Sequence, residues 1–156
     1  MKQDSHIRSV VKGATWRAVG TMDTIFLSFV FIHNVHKALK IGTVELFTKI
    51  ALFWLHERVW MKLKFGTETE IINGEELVKE KHYRSIVKGI SWRIIGSLDT
   101  FWIALVINRE SPTATQTAFY ISATEVITKV ALFWLHERVW MKVNWGRKQV
   151  RTPKAV

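Results

Sequence analysis

A duplicated unit constrains the fold of this chain more than any other feature. The stretch ALFWLHERVWMK occurs at residues 51–62 and again, without a difference, at 131–142. A second block, RSVVKGATWRAVGTMDT from Arg8, returns as RSIVKGISWRIIGSLDT from Arg84. The two blocks repeat at offsets of 76 and 80 residues, so the second copy holds four extra residues, around NRESPTATQ. Because insertions belong in loops or at helix ends, we expect each copy to be two elements joined by a tip.

The elements of each copy are predicted to be helices. Only two prolines occur in the 156 residues, so little interrupts the helical patterns. Asp4 or Ser5 is the expected N-cap of the first helix, and Ser111 with Pro112 is a favourable start for the last. The helices are expected at about 8–33, 43–64, 84–108 and 112–144. The predicted fold is therefore all-α, with two tandem helical hairpins that form a parallel internal repeat.

Residues 67–83 separate the copies and differ from them in composition. This segment carries five glutamates, little apolar character and the turn signal Asn73-Gly74. We interpret it as an acidic, partly helical linker on the cytoplasmic side. The predicted organisation is a first repeat over 1–66, the linker over 67–83, a second repeat over 84–148 and a basic tail over 149–156.

Two classes of protein accommodate such helices, a membrane protein and a soluble four-helix bundle. The apolar runs reach the roughly 20 residues of a spanning helix only when their interfacial ends are counted. The run TIFLSFVFI has no polar face, which argues against a soluble bundle. Tryptophans also lie near the helix ends, as in the interfacial belt of a membrane protein. These are Trp16, Trp54, Trp60, Trp92, Trp134 and Trp140.

The distribution of basic residues favours the membrane protein. The chain has 23 Lys and Arg, 13 Asp and Glu, and a formal net charge of +10. Of the 23, 18 lie near the N-terminus, the linker and the C-terminus, and the hairpin tips hold only Lys37, Lys40 and Arg109. Cytoplasmic segments of membrane proteins carry an excess of Lys and Arg. We therefore expect four transmembrane helices, with the linker and both termini in the cytoplasm.

Six ionisable residues are predicted to lie inside the membrane-spanning helices. They are Asp23, Glu45, Lys49, Asp99, Glu125 and Lys129. An unpaired aspartate there costs about 2–3 kcal/mol or more. An antiparallel hairpin brings Lys49 to within about one turn of Asp23, and the same register puts Glu57 near Arg17. Two interpretations stay open, a structural ladder of ion pairs and the lining of a polar path for an ion.

Small residues recur every four positions on the first helix of each copy. Gly20 and Thr24 share one face, and so do Gly96 and Thr100. Small residues at this spacing let helix backbones approach each other closely in a membrane. We interpret the stripe as a helix-packing surface.

The repeated HERVW segment stands where each second helix leaves its apolar run. It is not a zincin-type metal site, because Trp60 and Trp140 occupy the position of the second histidine. One interpretation is an interfacial anchor, in which Arg58 binds lipid phosphates and Glu57 pairs with Arg17. The other is an anion-binding cytoplasmic mouth. The residues of this mouth or anchor are Lys12, Arg17, His56, Glu57, Arg58, Lys88, Arg93, His136, Glu137 and Arg138.

These blocks resemble a prokaryotic family of small predicted membrane proteins of unknown function. The shared pattern is K-x-x-x-W-R-x-x-G-x-x-D-T followed by E-x-x-T-K-x-x-L-x-x-x-H-E-R-V-W, over about 12–66 and 88–146. The resemblance implies a membrane location, which we take to be the bacterial inner membrane. Such proteins are often found beside, or fused to, sulfate-activating enzymes such as adenylylsulfate kinase, which implies a role near sulfate uptake or assimilation. The resemblance identifies no catalytic residue.

The function expected from the sequence is that of a non-enzymatic membrane protein that assembles, as an oligomer, around a polar path for a small ion or anion. The alternative is an accessory or scaffold subunit with purely structural ion pairs. Expected partners are anionic lipid headgroups and a second copy of the chain, or a transporter or enzyme. We expect no cofactor, metal or nucleic-acid partner, although DNA binding is the other use of the positive charge. No nucleophile with its base, phosphate-binding glycine loop or three-ligand metal cluster is visible in the sequence.

Overall fold

Four long helices form the body of the protein. The computed structural model describes residues 2–63, 65–72 and 75–149. The helices are α1 His6–Ile32, α2 Val35–Lys62, α3 His82–Ile107 and α4 Ala114–Lys142. The prediction of four helices is confirmed. The largest difference between a predicted and an observed helix start is at α2, which begins eight residues before the expected position 43. At about 1.5 Å per residue, each helix is roughly 40 Å long.

The helix starts agree with the predicted caps in the first copy but not in the second. Ser5 caps α1, and its side chain accepts a hydrogen bond from the Arg8 backbone N–H at 3.3 Å. The prediction that Ser111 caps α4 with Pro112 as its first residue is wrong, because α4 begins two residues later with Thr113 as its N-cap. Ser111 Oγ accepts from the Thr113 N–H at 3.3 Å, which holds these residues in a turn ahead of the helix.

The four extra residues of the second copy lie in its tip, as predicted. Residues 33–34 join α1 to α2, whereas residues 108–113 join α3 to α4. His33 closes the shorter tip in the left-handed conformation, with a φ of 54°, and its N–H donates to Phe29 O at 2.8 Å. The insertion therefore lengthens one loop and leaves the two hairpins alike.

Two short antiparallel ribbons lie at the end of the bundle where α1 begins and α4 ends. β2 Thr67–Ile72 pairs with β3 Glu75–Glu80, and β1 Lys2–Asp4 pairs with β4 Arg147–Gln149. The prediction of a partly helical linker is therefore wrong. Four of the six β2 residues are threonine or isoleucine, whose branched side chains favour strands. The predicted turn at 73–74 lies outside the described residues, as does the tail beyond 149.

The helices pack in a ring in which the two hairpins meet along two helix pairs. α1 packs against α2 and α4, and α3 packs against the same two helices. The ribbons join the ring in equivalent ways, because the Ser5 N–H donates to Gly146 O at 2.9 Å and the Lys81 N–H donates to Gly66 O at 3.0 Å. The two copies are therefore related as a parallel repeat, each making the same contacts with the other.

Two buried arginines fasten the copies together at the ribbon end. Arg84 of α3 donates to carbonyl oxygens at the end of α2, and Arg8 of α1 does the same at the end of α4. The acceptors are Trp60 (2.6 Å), Leu63 (2.8 Å) and Phe65 for Arg84, and Trp140 (2.6 Å), Val143 (2.9 Å) and Trp145 for Arg8. A cation is favourable at a helix C-terminus, where carbonyl groups lack helical partners. Each copy therefore caps the second helix of the other.

Polarity in the bundle is inverted relative to a soluble protein. The interior holds Thr24, Glu45, Thr100 and Glu125, each at most 3% exposed. Large apolar side chains face outwards on all four helices, for example Phe26 (63% exposed), Phe47 (66%), Trp102 (59%) and Ile127 (72%). A soluble bundle would bury such side chains and expose the charges. Within the described part of the chain, α3 and α4 are the helices long and apolar enough to cross a membrane.

An apolar core closes the half of the bundle next to the tips. Its buried members are Ile41, Ile103, Ala104, Ala118 and Ile121, which come from α2, α3 and α4. Partly buried phenylalanine, leucine and isoleucine side chains of α1 and α3 pack against this group. The core of the tip half is therefore mainly apolar, in contrast to the middle of the bundle.

Gly42 allows α2 to approach α1 closely, and we predict that Gly42→Ala destabilises the protein. A Cβ at this position would lie 2.3 Å from Ile25 Cγ1. Overpacking of this kind costs about 1–3 kcal/mol, which would appear as a lower free energy of unfolding in detergent. Gly13→Ala is the matched control, because nothing lies within 4 Å of its added Cβ. Equal stability of the two variants would contradict the close approach.

Candidate functional site

Two glutamates and two lysines meet at the centre of the bundle. Glu45 and Lys49 come from α2, and Glu125 and Lys129 come from α4. Lys49 Nζ lies 3.3 Å from Glu125 Oε1, and Lys129 Nζ lies 3.0 Å from Glu45 Oε1. Each lysine also pairs with the glutamate four residues earlier on its own helix. These four side chains, which we call the central cluster, carry no net charge as two ion pairs.

Threonines of the other two helices complete the site. Thr24 Oγ1 of α1 donates to Glu125 Oε1 at 2.8 Å, and Thr100 Oγ1 of α3 lies 3.4 Å from Glu45 Oε1. Both threonines are fully buried. Because a buried carboxylate is stable only when it is paired and hydrogen-bonded, the cluster requires all four helices.

Asp23 and Asp99 are bonded across the copies rather than within a hairpin. Asp23 Oδ2 accepts from Thr128 Oγ1 at 2.8 Å, and Asp99 Oδ2 accepts from Thr48 Oγ1 at 2.8 Å. The antiparallel register predicts Lys49 as the neighbour of Asp23, but Lys49 bonds to the central cluster instead. These bonds join α1 to α4 and α2 to α3, and the choice between a structural ladder and the lining of a path stays a prediction.

Gly20 and Gly96 make room for lysine side chains. The atom nearest to an added Cβ is Lys129 Cε at 3.9 Å for Gly20 and Lys49 Cε at 3.8 Å for Gly96. The sequence predicts that this stripe packs helix backbones together, whereas here the glycines let the lysine stems reach the central cluster. The threonines of the same stripe bond to that cluster, so the stripe serves the polar site.

A cavity of about 410 Å³ lies on the ribbon side of the central cluster. The cluster residues form its inner end, and it is lined along its length by Trp16, Arg17, Phe53, Trp92, Arg93 and Phe133, among others. The side chains of Arg17 and Arg93 are exposed, so the cavity reaches the surface near them. On the opposite side of the cluster, towards the tips, the buried side chains of the apolar core lie between α2, α3 and α4.

Arg17 and Arg93 give the cavity an excess of positive charge. Within the described part of the chain, neither guanidinium takes part in an ion pair. Asp23 and Asp99 balance these two charges over the bundle as a whole, but they do not line the cavity, so the surface end of the cavity is locally positive. A cleft lined by one sign of charge concentrates ions of the opposite sign, and the guanidinium fork suits oxyanions. The arrangement can therefore attract and bind a small anion.

Ion pairs at the ribbon end hold the copies together outside the cavity. Lys88 Nζ lies 2.8 Å from Glu57 Oε2, and Lys12 Nζ lies 2.7 Å from Glu137 Oε2. The predicted pairing of Glu57 with Arg17 is therefore wrong, because the partner of Glu57 is on α3 of the other copy. These side chains are about one third exposed, so each pair is worth at most about 1 kcal/mol.

His56 and Trp60 link α2 to α3. Trp60 Nε1 donates to His56 Nε2 at 3.0 Å and to Ser91 Oγ at 3.2 Å, and His56 Nε2 lies 2.9 Å from Ser91 Oγ. The equivalent triad between α4 and α1 consists of His136, Trp140 and Thr15. Trp60 is only 7% exposed, so its predicted place in the interfacial belt is wrong. The repeated histidines bond between helices and do not line the cavity.

Arg58 and Arg138 face outwards at the ribbon end. Each guanidinium lies 5.3 Å from the ring centre of the tryptophan four residues earlier, Trp54 and Trp134 respectively. All four side chains are exposed. This placement fits the interfacial anchor, because an aromatic ring and a cation at the surface suit the headgroup layer. Of the ten residues predicted for a mouth or anchor, only Arg17 and Arg93 line the cavity.

The comparison with known families agrees with this architecture. A family described as a predicted membrane protein (DUF2061) matches residues 10–61 and 86–141. The chain belongs to this family. The two matched segments coincide with the two hairpins, as expected for two tandem copies, and they confirm the resemblance seen in the sequence. With the two long apolar helices, membership supports a membrane location. The chain has no match among curated proteins or solved structures.

Several residues that hold the site were not recognised from the sequence. Arg8 and Arg84 cap helices of the opposite copy, and Thr15 and Ser91 bond to the histidines. The arginines lie in the duplicated block, so their repetition was the available signal. Thr15 and Ser91 differ between the copies and carry no such signal, but both supply a hydroxyl at the same place.

We predict that Lys49→Met lowers the free energy of unfolding by about 3–5 kcal/mol, because it leaves carboxylates buried without a full set of partners. Adding Glu45→Gln in the same chain should recover most of this loss, since the ion pair is then removed as a unit. Lys88→Met is the matched control at an exposed pair, with an expected loss of less than about 1 kcal/mol. Unfolding in detergent, followed by tryptophan fluorescence, measures all three. Similar losses for Lys49→Met and Lys88→Met would contradict the buried cluster.

Proposed function

We propose that this protein spans the bacterial inner membrane with four helices and that its central cavity binds a small inorganic anion on a path across the membrane. The observation that carries the proposal is the cavity itself. Two guanidinium groups without an ion-pair partner among the described residues lie at its surface end, and a buried ionic cluster lies at its inner end. The protein acts without enzymatic chemistry, cofactor or metal, and it does not bind nucleic acid.

The outward apolar surface supports four spans rather than two. Phe26 on α1 and Phe47 on α2 are as exposed as their counterparts on α3 and α4. Thr24 of α1 bonds to the central cluster and Glu45 of α2 is part of it, so α1 and α2 lie at the same depth as α3 and α4. A hairpin outside the membrane could not supply these groups to the centre of the other hairpin. The basic residues at the ribbon end support a cytoplasmic location of both termini.

The closed tip half supports an alternating-access carrier rather than an open channel. The cavity reaches the surface near Arg17 and Arg93, and the apolar core blocks the other half of the bundle. Transport through such a protein requires a second state in which the core opens and the cavity closes. The first anion to test is sulfate, since the family resemblance implies a role in sulfate uptake.

An accessory or scaffold subunit is the second candidate. The observation that favours it is the central cluster, whose charges balance without any ligand. In that case the ion pairs only fix the assembly of the two copies. A homo-oligomer, or a complex with a transporter or enzyme, stays a prediction under either function. The polar path proposed here lies within one chain and needs no oligomer axis.

Cysteine labelling tests the four spans, because the chain has no cysteine of its own. His36→Cys, in the first turn of α2 beside the first tip, and Arg109→Cys in the second tip should react with a membrane-impermeant maleimide on intact spheroplasts. Asn144→Cys, beyond α4, should react only after permeabilisation. All three positions are exposed. Labelling of His36→Cys only after permeabilisation would show that α1 and α2 do not cross the membrane as proposed.

Anion binding tests the cavity. Arg17→Gln with Arg93→Gln removes two charged donors and should weaken the binding of sulfate by about tenfold to a hundredfold. The double variant should keep its stability, since neither arginine pairs with another described residue. Arg58→Gln with Arg138→Gln is the matched control, because these arginines face outwards. Binding to purified protein in detergent is measured by calorimetry, with phosphate, nitrate and chloride as further probes. Equal affinities for the two double variants would contradict an anion site in this cavity.

A further inference from the structure

The ammonium groups at the inner end of the cavity have no free donor. Lys49 Nζ donates to Glu45 Oε1, to Glu125 Oε1 at 3.3 Å and to Thr100 Oγ1 at 3.2 Å. The second lysine has the matching acceptors. Lys129 Nζ donates to Glu125 Oε1, to Glu45 Oε1 at 3.0 Å and to Thr24 Oγ1 at 3.2 Å. An ammonium has three N–H donors in total, so an anion that reaches either lysine must displace one of these acceptors.

Displacement of a carboxylate leaves an uncompensated negative charge inside the membrane. The central cluster is neutral before the anion arrives, and it carries the charge of the anion afterwards. An isolated carboxylate in an apolar setting becomes neutral by binding a proton. Glu45 and Glu125 line the cavity that Arg17 and Arg93 connect to the surface, so a proton can reach them from the same side as the anion.

The other charged groups near the cluster do not remove this requirement. Every helix places charged side chains around the central cluster. They are Asp23 from α1, Lys49 from α2, Asp99 from α3, Lys129 from α4, and Arg17 and Arg93 from the cavity wall. With Glu45 and Glu125, these make four cations and four anions. The balance is zero without a ligand, so the entering anion is again the excess charge.

We propose that the site binds a small inorganic anion together with a proton, which is held on Glu45 or Glu125 while the anion occupies its place at the lysines. The protein is then a proton-coupled anion carrier. This inference rests on the proposed function, and it adds the second species that moves. The proton comes from solvent in the cavity and returns to solvent when the anion leaves, so no other reactant is needed.

Calorimetry on the unmodified protein tests the coupling without any variant. Chloride and nitrate are titrated into the purified protein in two buffers of different ionisation enthalpy. Binding that takes up a proton draws it from the buffer, so the two heats should differ by the amount expected for about one proton per anion. Identical heats in the two buffers, with binding observed, would overturn the inference and leave the proposed anion site standing. Absence of binding by these two anions and by sulfate would overturn both.

Transport in liposomes identifies the residues that hold the proton. Potassium and valinomycin clamp the membrane potential, so that protons do not follow the anion passively, and a trapped pH dye reports the lumen. An inward nitrate or chloride gradient should acidify the lumen with the wild-type protein. In Glu45→Gln with Glu125→Gln, any anion that still enters should do so without acidification, because glutamine cannot take up a proton at these positions.

Glu57→Gln with Glu137→Gln is the control for this experiment, because it changes the same residue types on the same helices outside the cavity. It should acidify the lumen as the wild-type protein does. Anion transport without acidification by the wild-type protein would overturn the inference alone. Acidification that persists in the variant with Glu45→Gln and Glu125→Gln would also overturn the inference. If that variant fails to fold, the calorimetry on unmodified protein still decides.

Discussion

The ion pairs between Lys49 and Glu125 and between Lys129 and Glu45 are the interaction on which the rest of the structure depends. Four charges in the buried middle of a helical bundle are tolerated only when they neutralise each other. Neither hairpin presents this arrangement alone, because every ammonium is shared with the glutamate of the other copy. The duplication therefore places the two halves of a single polar site in one chain. The two hairpins pack into a ring because both halves must meet at its centre.

The outer features of the molecule support this centre. Arg8 and Arg84 cap the helices of the opposite copy, and the His56 and His136 triads bond along the same two helix pairs. The apolar core lies in the tip half, while the cavity reaches the cluster from the ribbon end. The cluster thus faces a cavity on one side and apolar side chains on the other. This asymmetry fits one of the two states of the proposed carrier.

Much of this fold was predictable from the sequence, because its signals are local. The four helices, the cap at Ser5 and the insertion in the second tip follow from periodicity, capping chemistry and the two repeat offsets. The partners were not predictable, because hairpin register describes contacts within a copy and says nothing about the other copy. The pairing of Glu57 with Lys88 was missed for this reason. The helical prediction for the linker is wrong because strand pairing is not visible in composition.

The most direct test of a polar site between the two copies is the anomalous scattering of bromide in crystals of the full chain. We expect one bromide for each chain, inside the cavity between Arg17, Arg93 and the central cluster, with α1 to α4 of the same chain around it. A bromide peak on a symmetry axis between chains would place the path in an oligomer instead. A cavity without bromide, in crystals that bind it elsewhere, would contradict the anion site.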